Sequence, residues 1–235
     1  MKNKGSLIFT MIMTLLVIGV IAALIISNQN KKESSVDTES LGTANTNNQQ
    51  GLKLLDQIDI KDQPMIGKDE AKVTIIEFGD FKCPACKVFE LDIKPDLKKK
   101  YIDSGKAKLY FINTPFHGEG SMLGSLAAET LIKQEPDKYS AFQQALFEMQ
   151  PDTEEEWLTI DAVKKAAKTA AVSNIDKLVK DVEALKEKAA VKKDINLVEK
   201  HNVTMTPTII VNGKEVKNPM DPAEVDKVID EAVKQ

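Results

Sequence analysis

The sequence predicts an α/β fold in which a block of helices interrupts a small, mostly parallel sheet. An apolar strand at 73–80 is followed by a helical pattern and by a second strand at 107–113, which is the order of a βαβ unit. Residues 120–200 then contain no strand pattern, and the chain ends in two short strands and a helix. The predicted order is therefore βαβ, helices, ββα.

The two cysteines of the chain lie where the first strand turns into a helix. The β-branched apolar segment 73–79 ends at a glycine, and residues 87–93 have helical spacing. The motif CPAC, residues 83–86, lies between them. This order places Pro84 at the first helical position and Cys83 at or next to the N-cap.

The position of Cys83 predicts a redox function. Unpaired amides and the positive end of the helix dipole favour a thiolate, so Cys83 should titrate below a free cysteine and act as the nucleophile. Cys86, one turn inside the helix, would then be the resolving thiol. Two other interpretations are a structural disulfide and half of a zinc site. A zinc site needs about four Cys or His ligands, and the remaining candidates are only His117 and His201.

The composition argues against a nucleic-acid partner. The chain has 235 residues with a formal net charge of −4, and its basic residues are all lysine, so no arginine fork is available for phosphate. A hydrophobic content of 42% over this length is enough for one or two domains with ordinary cores.

The amino-terminal part of the chain predicts attachment to a membrane. Residues 1–6 are cationic and would form a cytoplasmic tip, and residues 7–26 are a charge-free apolar run long enough to span a bilayer. The run is longer than a signal-peptide core and has no good small-x-small site after it, which favours an uncleaved anchor over a cleaved signal. Residues 27–57 are mostly polar and predict a disordered tether. The cysteine pair favours an extracytoplasmic orientation.

Apolar residues recur at spacings of three and four after the second strand, which predicts an inserted helical domain at 119–200. Pro136, Pro151 and the pair Ser173-Asn174 would divide it into about four helices. The sheet domain would comprise residues 58–118 and 201–235.

The end of the chain predicts a hairpin and a helix. Strand 208–211 is followed by Asn212-Gly213, a strong signal for a two-residue hairpin turn. Asp221-Pro222 fits the N-cap and first position of a helix. The buried side of that helix would carry Val225, Val228, Ile229 and Ala232.

These features together resemble the thioredoxin fold: CPAC at a strand-to-helix turn, the segment Met-Thr-Pro-Thr at 205–208, and a terminal ββα unit. The helical insertion resembles the DsbA class. With the amino-terminal anchor and the segments FGDFKC at 78–83 and FHGEG at 116–120, the chain most resembles the membrane-anchored BdbD-type thiol:disulfide oxidoreductases of Gram-positive bacteria. The resemblance covers the chain from about residue 60 onward.

The resemblance implies roles for residues around the cysteines. Pro207 would be a cis proline facing the two sulfurs, and Thr206 would offer main-chain hydrogen bonds to a substrate peptide. Glu77, in an otherwise apolar strand, would be a buried acid that exchanges a proton with Cys86, with a pKa raised by desolvation. The residues alone leave open a trans proline and a Glu77 that reaches solvent.

The resemblance also implies partners and an ion. Catalysis would need no cofactor beyond the redox-active disulfide Cys83-Cys86. A membrane quinone reductase of the DsbB/BdbC type would reoxidise the enzyme. A structural calcium ion would lie between the two lobes at Gln63, Glu129 and Asp194, whose oxygens suit a hard cation. The alternative is three unrelated surface side chains.

The sequence therefore predicts an extracytoplasmic enzyme that introduces disulfide bonds into reduced secreted or surface polypeptides through a mixed disulfide at Cys83. One alternative is a disulfide reductase or isomerase of the same fold. Another is a non-enzymatic substrate-binding module with a structural CPAC disulfide. A glutathione-dependent transferase or isomerase of related fold is a third.

Overall fold

The structure is a computed structural model, and it describes residues 58–152 and 155–235. The predicted tip at 1–6, the anchor at 7–26 and the tether at 27–57 lie outside the described residues. Within the described ranges, no helix has both the length and the apolar character needed to cross a membrane.

A five-stranded sheet in the spatial order β1-β3-β2-β4-β5 organises the described part of the chain. The strands are β1 Met65–Ile66, β2 Val73–Gly79, β3 Ala107–Asn113, β4 Thr208–Val211 and β5 Lys214–Glu215. Only the pair β2 and β3 is parallel, and the other three pairs are antiparallel. The prediction of a mostly parallel sheet is therefore wrong, because a two-residue strand such as β1 shows no alternation in the sequence and the terminal hairpin runs antiparallel.

The described residues form seven helices and one short 3-10 helix, Pro136–Lys138. The seven helices are α1, which runs through Pro84–Val88, Phe89–Ile93, Lys94–Leu97 and Lys98–Ile102, then α2 Gly118–Gln134, α3 Tyr139–Met149, α4 Ile160–Thr169, α5 Ile175–Glu183, α6 Lys188–Lys200 and α7 Pro222–Val233. Helices α2 to α6 lie between β3 and β4, one more than the sequence predicted. The unpredicted break follows α5, where Leu185 has φ 53° and neither glycine nor proline marks the turn.

Helix α1 contains two π-helical segments, Phe89–Ile93 and Lys98–Ile102, on either side of Lys94–Leu97. Pro95 has no N–H to donate to a carbonyl four residues earlier, and wider turns tolerate such a missing bond. The helix therefore continues past Pro95, although a proline inside a helix usually kinks or ends it.

Both faces of the sheet are covered. On one face, side chains of α1 and α7 such as Leu97 and Ile229 pack against Ile75. On the other face, Leu197 of α6 packs in a cluster with Phe78. This explains why β2 is buried along its whole length, as strands covered on both sides are.

The core of the inserted helices continues beneath the CPAC motif. Cys83 and Cys86 belong to the same buried cluster as Phe142, Leu146 and Phe147 of α3. The cysteines therefore pack against the inserted helices and against Phe111 of the sheet.

Candidate active site

The CPAC motif sits at the start of α1 as predicted. Cys83 is the N-cap residue, with extended backbone angles of φ −78° and ψ 120°, and Pro84 occupies the first turn. The main-chain N–H of Cys83 donates to the carbonyl of Asp80 at 3.1 Å, which fixes the turn from β2 into the helix. Both cysteines are free thiols, and Cys83 is 5% exposed whereas Cys86 is fully buried.

The surroundings of Cys83 favour its thiolate. The hydrogen bond from the Cys86 thiol, the largest cause, lowers the pKa of Cys83 to about 5 against the opposing effect of burial. Hydrogen bonding by the Thr206 side chain and by the main chain of Cys86 and Ala85 lowers this pKa further. The predicted direction is confirmed, but the helix amides contribute less than the neighbouring thiol, which the sequence could not rank.

The surroundings of Cys86 have the opposite effect. Burial, followed by the hydrogen bond to Cys83, raises the pKa of Cys86 well above its ordinary value. The main-chain N–H of Asp80 donates to the Cys86 sulfur at 3.4 Å and partly offsets this. The two sulfurs therefore differ as a nucleophile and a resolving thiol should.

The loop before β4 faces the sulfur of Cys83. The peptide bond between Thr206 and Pro207 is cis, as the resemblance implies, and the trans alternative is wrong. The Cys83 thiol lies 3.3 Å from the Thr206 carbonyl and donates a hydrogen bond to it. Met205, just before them, is one of the exposed large apolar side chains of the described residues.

Glu77 is buried in the centre of the sheet. It lies between Phe111 of β3 and Ile209 of β4 and is fully buried, so the alternative of a glutamate reaching solvent is wrong. Burial, then the nearby charge of Glu90, raises the pKa of Glu77 well above its ordinary value, while Lys94 lowers it. Glu77 is thus suited to carry a proton.

An ion pair next to Glu77 was not predicted. Lys94 Nζ lies 2.7 Å from both carboxylate oxygens of Glu90 and 3.3 Å from Oε1 of Gln143. Burial tends to lower the pKa of Lys94, but the charges of Glu90 and Glu77 outweigh it and raise that pKa. The i,i+4 spacing was visible in the sequence, yet such pairs are usually exposed on helix surfaces.

The three residues proposed as calcium ligands lie together. Gln63 Nε2 donates to Asp194 Oδ1 at 2.5 Å, and Asn113 Nδ2 donates both to Glu129 Oε1 at 2.8 Å and to Asp194 Oδ2 at 2.7 Å. Glu129 is 3% exposed and Asp194 1%, so they are not unrelated surface side chains. Asn113, at the end of β3, is the member of this cluster that the sequence did not reveal.

The electrostatics of this cluster also reflect burial. Burial, then the charge of Asp194, raises the pKa of Glu129 to about 8, and burial raises the pKa of Asp194 as well. Oε1 of Gln63 and Oδ1 of Asn113 are buried and accept no hydrogen bond. Across residues 58–152 and 155–235, no group of three or more His, Cys, Asp or Glu side chains is arranged to hold a metal ion.

Known proteins resemble this chain in sequence and in fold. A family profile described as Thioredoxin matches residues 59–231. Disulfide bond formation protein D of Bacillus subtilis is 44% identical over 178 residues, which cover 76% of this chain and 80% of that protein. The crystal structure of oxidised BdbD from Bacillus subtilis has a TM-score of 0.74 at 44% identity and covers 75% of this chain and 96% of its own.

A more distant structure shares the fold. DsbA of Chlamydia trachomatis has a TM-score of 0.65 at 22% identity, covering 84% of this chain and 96% of its own. The predicted thioredoxin fold with DsbA-like helices is thereby confirmed, and so is the predicted similarity to BdbD. The chain belongs to the thioredoxin family and, within it, to the BdbD type of DsbA-like protein-disulfide oxidoreductases.

Proposed function

We propose that this enzyme introduces disulfide bonds into reduced secreted or surface polypeptides, with Cys83 as the sulfur that joins the client. The observation that carries the proposal is the contrast between the two sulfurs, since the pKa of Cys83 is lowered to about 5 while that of buried Cys86 is raised. A stabilised thiolate stabilises the reduced enzyme and so makes its disulfide a stronger oxidant.

The reaction consists of two exchanges. A client thiolate attacks the sulfur of Cys83, the bond between Cys83 and Cys86 breaks, and Cys86 leaves as a thiolate. A second client thiolate then attacks the client sulfur of the mixed disulfide, and Cys83 leaves as a thiolate. The client loses two electrons to the enzyme. The low pKa of Cys83 favours this second step, because thiols of low pKa leave faster.

Substitution of each cysteine tests the function. Cys83→Ser should abolish mixed disulfides with a reduced two-cysteine peptide, whereas Cys86→Ala, once charged with an activated disulfide, should retain the adduct at Cys83. In the reduced wild type, alkylation against pH should show one thiol with a pKa of about 5. Preferential alkylation of Cys86 would refute the assignment.

Equilibration with glutathione should give an oxidising potential, and a value near the roughly −270 mV of thioredoxin would favour the reductase alternative.

Glu77 is proposed to give a proton to the Cys86 thiolate when the mixed disulfide forms. Glu77 lies near the end of β2, the strand that leads to the cysteines. Its burial and its raised pKa support this role. Glu77→Gln should slow mixed-disulfide formation by about 100-fold, the lower end for a lost acid or base. Quenched-flow trapping with an alkylating agent measures the rate. Glu119→Gln, an exposed change in the first turn of α2, is the control, and equal rates in both variants would contradict the role.

Thr206 and Pro207 are proposed to hold the client peptide against Cys83. The support is the position of the Thr206 carbonyl, 3.3 Å from the Cys83 sulfur, where a bound client chain would replace the thiol as a donor. Main-chain hydrogen bonding suits an enzyme with many clients, because it does not depend on the client side chains.

The enzyme is proposed to act outside the cytoplasm while attached to the membrane, with a membrane quinone reductase of the DsbB/BdbC type as its electron acceptor. Support comes from the charge-free apolar run near the amino terminus and from the similarity to BdbD. Protease added to intact cells should remove the catalytic domain, and a protected domain would contradict this orientation.

The proposed parts of the chain are the tip at 1–6, the anchor at 7–26, the tether at 27–57, the sheet domain at 58–118 and 201–235, and the inserted domain at 119–200.

The cluster of Gln63, Asn113, Glu129 and Asp194 is proposed to hold a structural calcium ion. Two buried carboxylates and two buried amide oxygens without hydrogen-bond donors form an all-oxygen donor set, which fits a hard cation. Main-chain carbonyls and water would complete the coordination, which takes about 6–8 ligands. Bound calcium would neutralise the carboxylates and tie β3 to α2 and α6.

A further inference from the structure

Asp80, just after β2, carries a fully buried carboxylate with an unusually complete set of donors. Its oxygens accept hydrogen bonds from Lys82 N at 2.8 Å, Ser121 Oγ at 2.6 Å, Phe116 N at 2.8 Å, His117 N at 3.1 Å and His117 Nδ1 at 2.6 Å. Its main chain contacts both cysteines, since its N–H meets the Cys86 sulfur and its carbonyl accepts from Cys83. Asp80 therefore ties the loop before α2 to the CPAC motif.

The hydrogen bond to Asp80 fixes the imidazole of His117. A carboxylate only accepts hydrogen bonds, so Nδ1 of His117 is the donor, and in the neutral ring the lone pair lies on Nε2, on the far side of the ring. The side chain is 43% exposed and lines a cleft of about 760 Å³ together with Lys82 and Pro84. These two residues flank Cys83 in the chain, so the cleft lies next to the first turn of α1.

The other charged groups of this cleft are less suited to accept a proton near neutral pH. Lys82 is paired with Glu156 at 2.7 Å and Lys87 with Asp152 at 3.1 Å. The remaining charged side chains of the lining are the carboxylates Asp92 and Glu155. Among the side chains that line the cleft, imidazole is the group that most often serves as a general base in proton transfer.

We propose that His117, positioned by Asp80, is a general base that takes the proton from the client thiol as that thiol attacks Cys83. The client S–H bond breaks and its proton moves to Nε2, while the client sulfur bonds to Cys83 and the bond between Cys83 and Cys86 breaks. Cys86 leaves with the electron pair, and the imidazolium, next to the Asp80 carboxylate, returns its proton to water. The step deepens the proposed function and rests on it.

Thiols of different acidity test this role. Oxidised wild type, His117→Gln and the control His201→Gln, which changes the other histidine of the chain, react with a cysteine peptide and separately with 2-nitro-5-thiobenzoate. At about pH 7 the peptide thiol is mostly protonated, whereas the aromatic thiol is already ionised and needs no base. His117→Gln should react with the peptide at least tenfold more slowly, below the usual effect of a lost base, and should change the aromatic reaction less than twofold.

Several outcomes separate this role from a structural one. An unchanged peptide rate in His117→Gln overturns the proposal, and so does an equal loss with both thiols, which would mean a disturbed site. A loss of the same size in His201→Gln also overturns it. Failure of the wild type to oxidise the peptide while it reacts with the aromatic thiol would overturn the proposed function, and this proposal with it.

Discussion

Two buried clusters of carboxylates compensate their charge in different ways. The redox cluster contains Glu77, Glu90, Lys94 and Gln143, and in it the Lys94 ammonium contacts both oxygens of Glu90. The amide cluster contains Gln63, Asn113, Glu129 and Asp194, and there the hydrogen-bond donors to the carboxylates are amides. An amide can donate a hydrogen bond to a carboxylate oxygen, but it does not neutralise the charge of the carboxylate. The carboxylates of the amide cluster therefore depend more on a bound proton or metal ion to offset their buried charge.

The difference separates a fixed charge from an exchangeable one. Lys94 is part of the chain, so the field it exerts on Glu77 is the same at any calcium concentration and at every pH below its own raised pKa. The charge of the amide cluster instead depends on the solution, because protons and calcium can enter or leave it. A constant environment suits Glu77 as a proton donor, and a variable one makes the amide cluster a site where solution conditions control stability.

Removal of Lys94, the fixed cation of the redox cluster, should have the largest effect on the free energy of unfolding. Lys94→Met leaves Glu90 buried without its partner, and the loss of one member of a buried ion pair costs about 3–5 kcal/mol of unfolding free energy. Lys98→Met is the matched control one turn later in α1, because Lys98 is 48% exposed in its pair with Asp103 and such pairs contribute about 0–1 kcal/mol. Urea denaturation measures both. Similar losses in the two variants would contradict the distinction drawn for Lys94.

Addition of calcium, the exchangeable cation of the amide cluster, should have the next largest effect on the free energy of unfolding. Calcium at about 100 times its dissociation constant should stabilise the wild type by about 2.7 kcal/mol, which for a domain of this size raises the melting temperature by roughly 5–10 °C. Glu129→Gln should lose most of this response, and Glu77→Gln, in the other cluster, should keep it. Melting curves in calcium and in chelator provide the measurement. A wild type with the same midpoint in both would remove the ion from the amide cluster.

Local signals in the sequence predicted the frame of the site. The CPAC motif with Pro84 in the first turn of α1, the Asn212-Gly213 hairpin and the Asp221 cap each depend on neighbours within a few residues, and all lie where predicted. Both turn residues have positive φ, 46° at Asn212 and 81° at Gly213, as this kind of hairpin requires. The resemblance added the cis bond before Pro207, which no spacing could indicate.

Contacts between distant parts of the chain could not be predicted. Asn113 joins Glu129 and Asp194, which are 16 and 81 residues away, and Lys94 meets Gln143 across 49 residues. Such side chains look like ordinary strand-end or helix-surface residues until the fold brings their partners to them. The same holds for Asp80, whose carboxylate is saturated only because the loop before α2 returns to it.

Within any single pH unit, the pH dependence of stability should be the smallest of the three effects. In the calcium-free protein the pKa of Glu129 is about 8, against an ordinary value of 4.5, so the folded state holds its proton more tightly than the unfolded state does. The stabilisation is therefore fully present below about pH 4.5 and is lost as the pH rises to about 8. One group can change the unfolding free energy by at most about 1.4 kcal/mol per pH unit in this window.

Urea denaturation in chelator between about pH 5 and pH 8 measures this slope. The raised pKa values of Glu77 and Asp194 add slopes of the same sign, and the lowered pKa of Cys83 adds a slope of the opposite sign. The contribution of Glu129 is therefore the difference between wild type and Glu129→Gln. With saturating calcium the wild type should depend less on pH, because calcium binds the ionised carboxylates more tightly as the pH rises. Identical slopes in wild type and Glu129→Gln in chelator would show that the charge of the amide cluster is fixed as well.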